Sequence, residues 1–262
     1  MTSAATRIIA PLALGLLALV AWQALSASGI VDDYLLPSPL AIAEEIADFL
    51  PSLMDSAAIT GLNALIGLIA GALLGVLLAL VASRAVLLDD ALAPVVAALA
   101  VVPIVALAPV LNTMFGADSQ FSRQAIAALA TFVPVFINTL RGLRQTRAVH
   151  RDLLRVYAAT PGQVSRHLTL PAARPFIFTG IRIASSLAVI SALVAEYFGG
   201  PRGGLGGLIS TSAASSAYAR AWAYVVGSIV LGLLFFVVTS AMERLATPSS
   251  SRPSGRAGGN AP

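Results

Sequence analysis

The sequence predicts an all-α polytopic membrane protein with about six transmembrane helices and a cytoplasmic two-helix loop. Of its 262 residues, 58% are hydrophobic and only 11% are charged. That much apolar surface cannot be hidden in one soluble core of this size, so lipid is the expected solvent. The apolar residues fall in long charge-free runs, and one long basic segment, residues 143–175, interrupts them.

The composition also excludes several kinds of chemistry. The chain has no cysteine, so disulfides and thiolate metal sites are excluded, and all sixteen of its basic residues are arginine. Without lysine there is no Walker A lysine, no Schiff base and no lysine nucleophile. We therefore predict no catalytic residue, no metal site and no cofactor.

Charge-free windows locate the spans, because a bilayer core requires about 20 apolar residues per helix. The fifth span is interrupted by charge: it starts near Phe176 and carries Arg182 in its first two turns, so Arg182 must snorkel or pair with a neighbour. The other five windows are Ile8 to Val31, Ser56 to Ser83, Ala91 to Ala117, Gln124 to Leu140, and Ala221 to Met242.

The arginine distribution predicts the orientation. With the N-terminus in the cytoplasm, thirteen arginines lie inside and three outside (Arg123, Arg202 and Arg220), while eight of the twelve acids, Glu196 among them, lie outside. We expect a multi-pass protein of the plasma (inner) membrane with both termini cytoplasmic. Residues 1–246 form the transmembrane domain, and 247–262, rich in Ser, Gly and Pro, form a disordered cytoplasmic tail. The alternative is a cleaved signal peptide over residues 7–28, which would leave five spans and an external N-terminus.

Local signals refine three segments outside the basic loop. Ser38 before Pro39 starts an amphipathic helix expected to lie flat on the outer surface, with Glu44, Glu45 and Asp48 in water. The glycines of the second span allow another helix to approach closely, and the prolines of the third span predict a kink. These residues are Gly67, Gly71 and Gly75, and Pro94, Pro103 and Pro109.

The basic segment 143–175 predicts two short helices. Arginines recur at 144, 147, 151 and 155, and Val149, Leu153, Val156 and Tyr157 share another face, as in one amphipathic helix. Thr160, Pro161 and Gln163 form a capping box that starts a second helix, which Leu170 and Pro171 end. The arginines could instead serve only as topology anchors, and binding of anionic lipid headgroups is a possible secondary role.

The spacing within this loop resembles the EAA loop of binding-protein-dependent ABC importer permeases. That pattern is Glu-Ala-Ala, three residues, Gly, nine residues, Ile, one residue, Leu-Pro. Here Asp152-Leu153-Leu154, Ala158, Leu168 and Leu170-Pro171 stand at the same spacing, with Ala158 in place of the turn glycine. A left-handed conformation costs an alanine about 1 kcal/mol or more.

Flanking segments resemble one subgroup, the permeases of the nitrate, sulfonate, taurine and hydroxymethylpyrimidine type. They are "LLPSPLAI", "VVPIVALAPVLNTMFG", "LPAARPFIFTGIRIA" and "AEYFGGPRGGLGGLI". The resemblance implies a permease subunit that forms the solute pathway with a second permease subunit, of the same or a related chain. It further implies a cytoplasmic ABC ATPase dimer, on which ATP hydrolysis occurs, and an external substrate-binding protein. Sulfonates, nitrate-like anions, a thiamine precursor and riboflavin are the substrates it suggests.

The same resemblance implies roles for the loop residues. The first helix would sit in a groove of the ATPase, with polar contacts from Arg151 and Asp152 and with Leu153 and Tyr157 filling the groove. Pro171 would mark the join to the fifth span. The coupling residues are thus Arg151, Asp152, Leu153, Leu154, Tyr157, Ala158, Leu168 and Pro171.

Polar residues in or beside spans are candidates for the translocation pathway, although each could instead make a hydrogen bond that packs helices. Glu196, before a glycine-rich segment, is either part of the external mouth or an ordinary interfacial acid followed by a flexible loop. The candidates are Asn63, Asn112, Asn138, Ser185, Ser186, Ser191 and Glu196.

Other functions fit the sequence less well. Nucleic-acid binding would need a soluble recognition domain, and an intramembrane hydrolase would need a serine–histidine pair or two aspartates within the bilayer. The alternative that stays open is an ion-coupled secondary transporter or channel that acts without an ATPase. Coupling carboxylates or inverted repeats would favour it, and neither is visible.

The topology is directly testable by cysteine labelling, because the chain has no native cysteine. We expect Ser165→Cys and Ser254→Cys to react only from the cytoplasmic side and Asp118→Cys only from outside. Reaction of Ser165→Cys with an impermeant external reagent would reverse the predicted orientation.

Overall fold

The computed structural model describes residues 4–32, 34–84, 86–116, 119–199 and 203–246. The predicted tail 247–262 and Asp33, Asp118 and Arg202 lie outside these ranges. Within them the chain forms eleven α-helices, and a π-helical segment, Ser165–Thr169, joins the eighth to the ninth. The helices are α1 Ala4–Ala27, α2 Pro39–Asp48, α3 Leu50–Ala82, α4 Val86–Val101, α5 Ile104–Phe115, α6 Gln120–Arg144, α7 Ala148–Val156, α8 Pro161–Val164, α9 Leu170–Phe198, α10 Leu205–Ala214 and α11 Tyr218–Ala246.

By length and composition, five of the described helical stretches could cross a membrane, and a sixth could if α4 and α5 are counted as one broken span. The helical prediction is therefore confirmed, and five or six candidate spans agree with the predicted number of about six. The third span differs from a single kinked helix: its two halves are bent by 99°. Pro103 stands at the break as the N-cap of α5. A proline has no N–H to continue the α4 ladder, and it biases Val102 away from helical dihedrals.

The predicted glycine contact is confirmed, and the partner of α3 is α6. At Gly67 and Gly71, an added Cβ would overlap Ala127 Cβ and Thr131 Oγ1, respectively, and at Gly75 it would lie 3.0 Å from the carbonyl oxygen of Phe132. The hydroxyl of Thr131 also donates to the carbonyl of Gly67, at 3.2 Å. Glycine is therefore required because the two backbones are nearly in contact.

The packed centre of the bundle is formed by α3, α6, α9, α10 and α11. Alanine, glycine and serine dominate the faces where these helices meet, and small residues of this kind let helices approach closely in lipid. By contrast, α1 is apolar on all sides and largely exposed, and its contacts include Trp22 against Trp222 of α11, with ring centroids 5.7 Å apart. Such a helix must be covered by lipid or by another protein surface.

Arg182 was predicted either to snorkel or to pair with a neighbour, and the structure shows that it pairs. Its Nε lies 2.6 Å from Glu243 Oε2 of α11, and Glu243 Oε1 accepts a hydrogen bond from Thr179 at 2.6 Å. The guanidinium also lies over the ring of Phe236, 5.8 Å from its centroid. The charge inside the span is thus compensated by an acid from another span, as buried charges in membranes require.

The amphipathic helix α2 starts at Ser38 as predicted, and Ser38 Oγ accepts a hydrogen bond from Ala41 N at 3.1 Å. One of its acids differs from the prediction. Glu44 and Asp48 are exposed, but Glu45 is half-buried and pairs with Arg220 at 2.9 Å. The guanidinium of Arg220 also lies 3.6 Å from the ring centroid of Phe49. This pair attaches α2 to α11, which the sequence did not predict because the two residues are 175 positions apart.

We expect Gly71→Ala to destabilise the folded protein by about 1–3 kcal/mol, the usual cost of overpacking, since the new methyl group would overlap Thr131 and the backbone of Ala128. Thermal unfolding in detergent would measure the change. Gly232→Ala is the matched control, because a Cβ at this helical position meets nothing within 4 Å. Equal melting temperatures for both variants would contradict the close α3–α6 contact.

Candidate functional site

The 143–175 loop contains a short helix whose apolar face is not covered by the rest of the described chain. No residue of α7 is buried. Val149, Leu153 and Val156 are 73%, 53% and 83% exposed, and Tyr157 at the C-terminal end is 75% exposed. Four large apolar side chains on one face of a nine-residue helix form a surface of the kind that marks an interaction site.

Two arginines of the predicted amphipathic helix lie outside α7. Arg144 was expected on the same helix as Arg147, Arg151 and Arg155, but it is the last residue of α6, and α7 starts only after Arg147. Arg147 has extended dihedrals, φ −64° and ψ 141°, so the helical period is broken at this residue. The prediction of one helix was therefore wrong for Arg144 and Arg147, because a periodic pattern does not reveal a turn within it.

The end of α7 explains the position that carries glycine in the EAA pattern. Ala158 has φ +50°. Its N–H donates to Arg155 O at 2.9 Å, and Ala159 N donates to Leu154 O at 3.0 Å. These two bonds and the left-handed residue form a Schellman motif, in which the position of Ala158 is usually glycine. The spacing of the motif is therefore matched by the backbone, although the residue is alanine.

The second helix begins as predicted and then continues. Thr160 and Gln163 form a capping box, with Thr160 N donating to Gln163 Oε1 at 2.8 Å. The prediction that Leu170 and Pro171 end this helix was wrong. The helix runs through the π-helical segment into α9. Leu170 N bonds to Ser165 O, five residues back. The wider turn accommodates the ring of Pro171, which would otherwise crowd the preceding turn.

Polar contacts hold the loop in one shape. Arg151 donates from Nε to Thr146 Oγ1 at 2.9 Å and from its terminal nitrogen to Thr146 O at 3.0 Å. Asp152 pairs with Arg155 at 3.1 Å on an exposed surface, where such a pair contributes less than about 1 kcal/mol. Leu154 and Leu168 are half-buried. The predicted coupling residues thus form one continuous unit from α7 to the start of α9.

A buried carboxylate lies at the other end of α9, about 40 Å away for a helix of this length. Glu196 is 1% exposed. It accepts hydrogen bonds from Thr60 Oγ1 at 2.7 Å, from Gly206 N at 3.2 Å and from Asn63 Nδ2 at 3.3 Å. Thr60 Oγ1 in turn accepts from Leu205 N at 2.9 Å. Glu196 and Thr60 together cap the N-terminus of α10.

These contacts extend into a polar network on α6. Asn63 Nδ2 also donates to Gln120 Oε1 at 2.8 Å, and Asn63 Oδ1 accepts from Gln124 at 3.2 Å. Arg123 is 1% exposed and donates to Gln120 at 2.8 Å. We call Thr60, Asn63, Gln120, Arg123, Gln124 and Glu196 the Glu196 cluster. Sequence reasoning found only Asn63 and Glu196; the spacing of Gln120, Arg123 and Gln124 on one helical face was the available signal.

The glycine-rich segment after Glu196 forms a helix where it is described. Gly203 and Gly204 have positive φ, and α10 starts at Leu205. A Cβ on Gly204 would lie 2.6 Å from Glu196 Oε2, and one on Gly206 would overlap Leu193 O. One interpretation of Glu196 was an interfacial acid followed by a flexible loop. From Gly203 onward the segment is instead a tight turn and a packed helix. The glycines allow that turn and the close approach to α9.

The remaining pathway candidates mostly make packing hydrogen bonds. Asn112 is buried, donates to Ala195 O at 3.3 Å and accepts from Ser122 at 2.6 Å. Asn138 donates to Pro134 O within its own helix at 2.8 Å. Ser185 is buried beside Thr239, at 3.0 Å. Ser191 is buried and Ser186 half-buried, so the candidates are spread along α5, α6 and α9 and do not form one site with Glu196.

The structure is that of a polytopic helical membrane protein, with a basic loop that presents an apolar helix at one end of α9 and a buried polar cluster at the other. The family model of the binding-protein-dependent transport system inner membrane component matches residues 49–248, which include the 143–175 loop and the Glu196 cluster. The chain belongs to this family, and it is therefore a transmembrane permease of the ABC transporter class.

Similar proteins are transport permeases. The formylaminopyrimidine transport permease protein ThiX of Halalkalibacterium halodurans is 33% identical over 72% of this chain and 75% of its own length. The putative aliphatic sulfonates transport permease protein SsuC of Bacillus subtilis is 29% identical over 85% of this chain and 81% of its own length. The riboflavin transport system permease protein RibX of Chloroflexus aurantiacus is 32% identical over 60% of this chain and 58% of its own length.

The fold is shared with a solved transporter. An inward-facing structure of the MetNI methionine ABC transporter superposes with a TM-score of 0.59 over 76% of this chain and 96% of the other, at 18% identity. At 18% identity, this similarity shows a shared fold and no more.

We expect Glu196→Ala to destabilise the protein by about 2–5 kcal/mol, because it leaves the buried donors of Gly206, Thr60 and Asn63 without their acceptor. Glu196→Gln keeps one acceptor oxygen and should lose less. Thermal unfolding in detergent measures both, with Glu44→Ala, at an exposed site, as a control within about 0.5 kcal/mol of the wild type. A Glu196→Ala variant as stable as Glu44→Ala would show that the hydrogen bonds of the Glu196 carboxylate contribute nothing to stability.

Proposed function

We propose that this chain is the pathway-forming subunit of an ATP-driven importer and that it docks a separate ABC ATPase through the 143–175 loop. The observation that carries the proposal is the uncovered apolar face of α7. A nine-residue helix with no buried residue is not held by a core of its own, so its apolar side chains are explained by a partner that covers them.

The composition of the sequence supports ATP hydrolysis on a separate subunit. With no lysine there is no P-loop lysine to bind nucleotide phosphates, so ATP hydrolysis belongs to a partner. The partner set is an ATPase dimer, a second permease subunit of the same or a related chain, and an external substrate-binding protein. The membrane is the inner (plasma) membrane with both termini in the cytoplasm, as the thirteen-to-three arginine distribution predicts.

The docking contact has a polar and an apolar part. Leu153 and Tyr157 present their side chains to the ATPase groove, and Asp152 is exposed beside them. Arg151 is bonded to Thr146, so it supports the helix from within the chain as well. The helix continues from Pro161 through the π-helical segment to Phe198, and this continuity lets movement of the loop reach the membrane span directly.

The substrate class follows the relatives. ThiX, SsuC and RibX are named for a formylaminopyrimidine, aliphatic sulfonates and riboflavin, so we propose a small polar organic or anionic solute. Asn63, Asn112, Asn138, Ser185, Ser186, Ser191 and Glu196 stay predicted pathway residues. The hydrogen bonds of Asn63 and Glu196 favour a role in holding α3, α9 and α10 together at the external end of that pathway.

The docking helix is tested by Leu153→Asp. A carboxylate in an apolar groove costs several kcal/mol when unpaired, so the variant should lose co-purification with the ATPase and lose transport. Leu153 is 53% exposed within the chain, so the protein itself should still insert and fold, as measured by its melting temperature.

The matched control is Ala148→Asp, which adds the same charge to an exposed position on another face of α7. It should keep both ATPase binding and transport, since a carboxylate is also favoured in the first turn of a helix. If Leu153→Asp binds the ATPase and transports normally, the docking assignment is wrong. Transport that persists without any ATPase would favour the self-sufficient, ion-coupled transporter.

A further inference from the structure

A pocket of about 660 Å³ lies between the end of α3 and the 143–175 loop. Three arginines line it: Arg84, just after α3, and Arg151 and Arg155 of α7. Their presence in one pocket results from the fold, because 67 positions separate Arg84 from Arg151 in the sequence. We call this the arginine pocket.

The charge in the arginine pocket is mostly uncompensated. No Asp or Glu is among the lining residues that the structure describes, and the nearby Asp152 pairs with Arg155 at 3.1 Å. Arg151 is oriented by its two bonds to Thr146, which is a neutral partner. Within the described ranges the guanidinium of Arg84 makes no hydrogen bond or ion pair, although its backbone N–H donates to Val81 O at 3.1 Å. Hydroxyl groups of Ser165 and Thr169 add further donors to the wall.

The arginine pocket also has an apolar side, and it lies at the ends of two membrane-spanning helices. Leu80, in the last turn of α3, and Leu143, at the end of α6, line it beside the arginines. Both helices are long and apolar enough to span the membrane, and their ends here are the arginine-rich ones, which the predicted topology places in the cytoplasm. With that predicted topology, the pocket is expected at the level of the lipid headgroups of the inner leaflet, where anionic phospholipids accumulate.

We propose that the arginine pocket binds the phosphodiester of an anionic membrane phospholipid, with the guanidinium groups on the phosphate and Leu80 and Leu143 against the glycerol and the upper acyl carbons. Arginine matches phosphate geometry through paired N–H donors. A bound headgroup would connect α3 to α7, and so attach the loop to the bundle at a point where protein contacts alone leave a cavity.

Native mass spectrometry of the full chain, titrated with phosphatidylglycerol in detergent, tests this site. The wild type should bind phosphatidylglycerol more tightly than phosphatidylcholine. Arg84→Gln should weaken binding of phosphatidylglycerol roughly fivefold, the usual contribution of one arginine at an anionic surface. Ser165→Asp, which adds a negative charge to the same wall and removes no arginine, should weaken it at least as much.

The matched control is Arg166→Gln, which removes the same charge from an exposed position next to Ser165 that does not line the pocket. It should bind phosphatidylglycerol as the wild type does. If Arg84→Gln and Ser165→Asp bind as tightly as Arg166→Gln, the site assignment is wrong. Displacement of the lipid by an equal concentration of inorganic phosphate would instead show a site for free anions, and the lipid assignment would be overturned. Because ATP and transport are not measured, the outcome is independent of the docking proposal.

Discussion

The close contact between α3 and α6 is the constraint on which the rest of the bundle depends. In lipid, apolar burial does not favour helix–helix contact over helix–lipid contact, so association relies on close packing and buried polar groups. Gly67, Gly71 and Gly75 bring the two backbones together, and Thr131 adds a hydrogen bond across the interface to Gly67. Gly142 and Gly180 repeat this arrangement between α6 and α9, where each stands against the backbone or Cβ of the facing helix.

Polar groups then fix the arrangement of the outer helices. Arg182 and Glu243 join α9 to α11, and Arg220 and Glu45 join α11 to α2. Glu196 joins α9 to α3 and α10 through three hydrogen bonds. Each of these side chains would be costly in an apolar environment without its partner, so each pair selects one arrangement of helices over others that bury the same area.

The two ends of the molecule are connected through α9. At one end the π-helical segment Ser165–Thr169 joins it to the 143–175 loop, and at the other Glu196 holds the start of α10. Contacts within the chain hold the loop: a Schellman motif ends α7, a capping box starts α8, and Arg151 is bonded to Thr146. An ordered loop loses less conformational entropy when a partner covers it, which fits the proposed role of α7 as a docking helix.

The amino-acid sequence by itself determined the properties that depend on composition and local order. The charge-free windows predicted the helical spans, and Ser38 and Thr160 predicted two helix starts. The resemblance to the EAA pattern implied the turn at Ala158. These signals are readable because a lipid-spanning helix must be apolar over its whole length, and because caps act within four residues.

Only the tertiary structure decided which distant residues meet. It brought Thr60 and Glu196 together across 136 positions and Arg84 to Arg151 across 67, and it formed α10 from a segment whose glycines suggested a loop. It also ended α6 at Arg144 and broke the third span at Pro103. The partner of a buried charge and the angle at a proline depend on packing between helices, and periodicity along one chain carries no information about that packing.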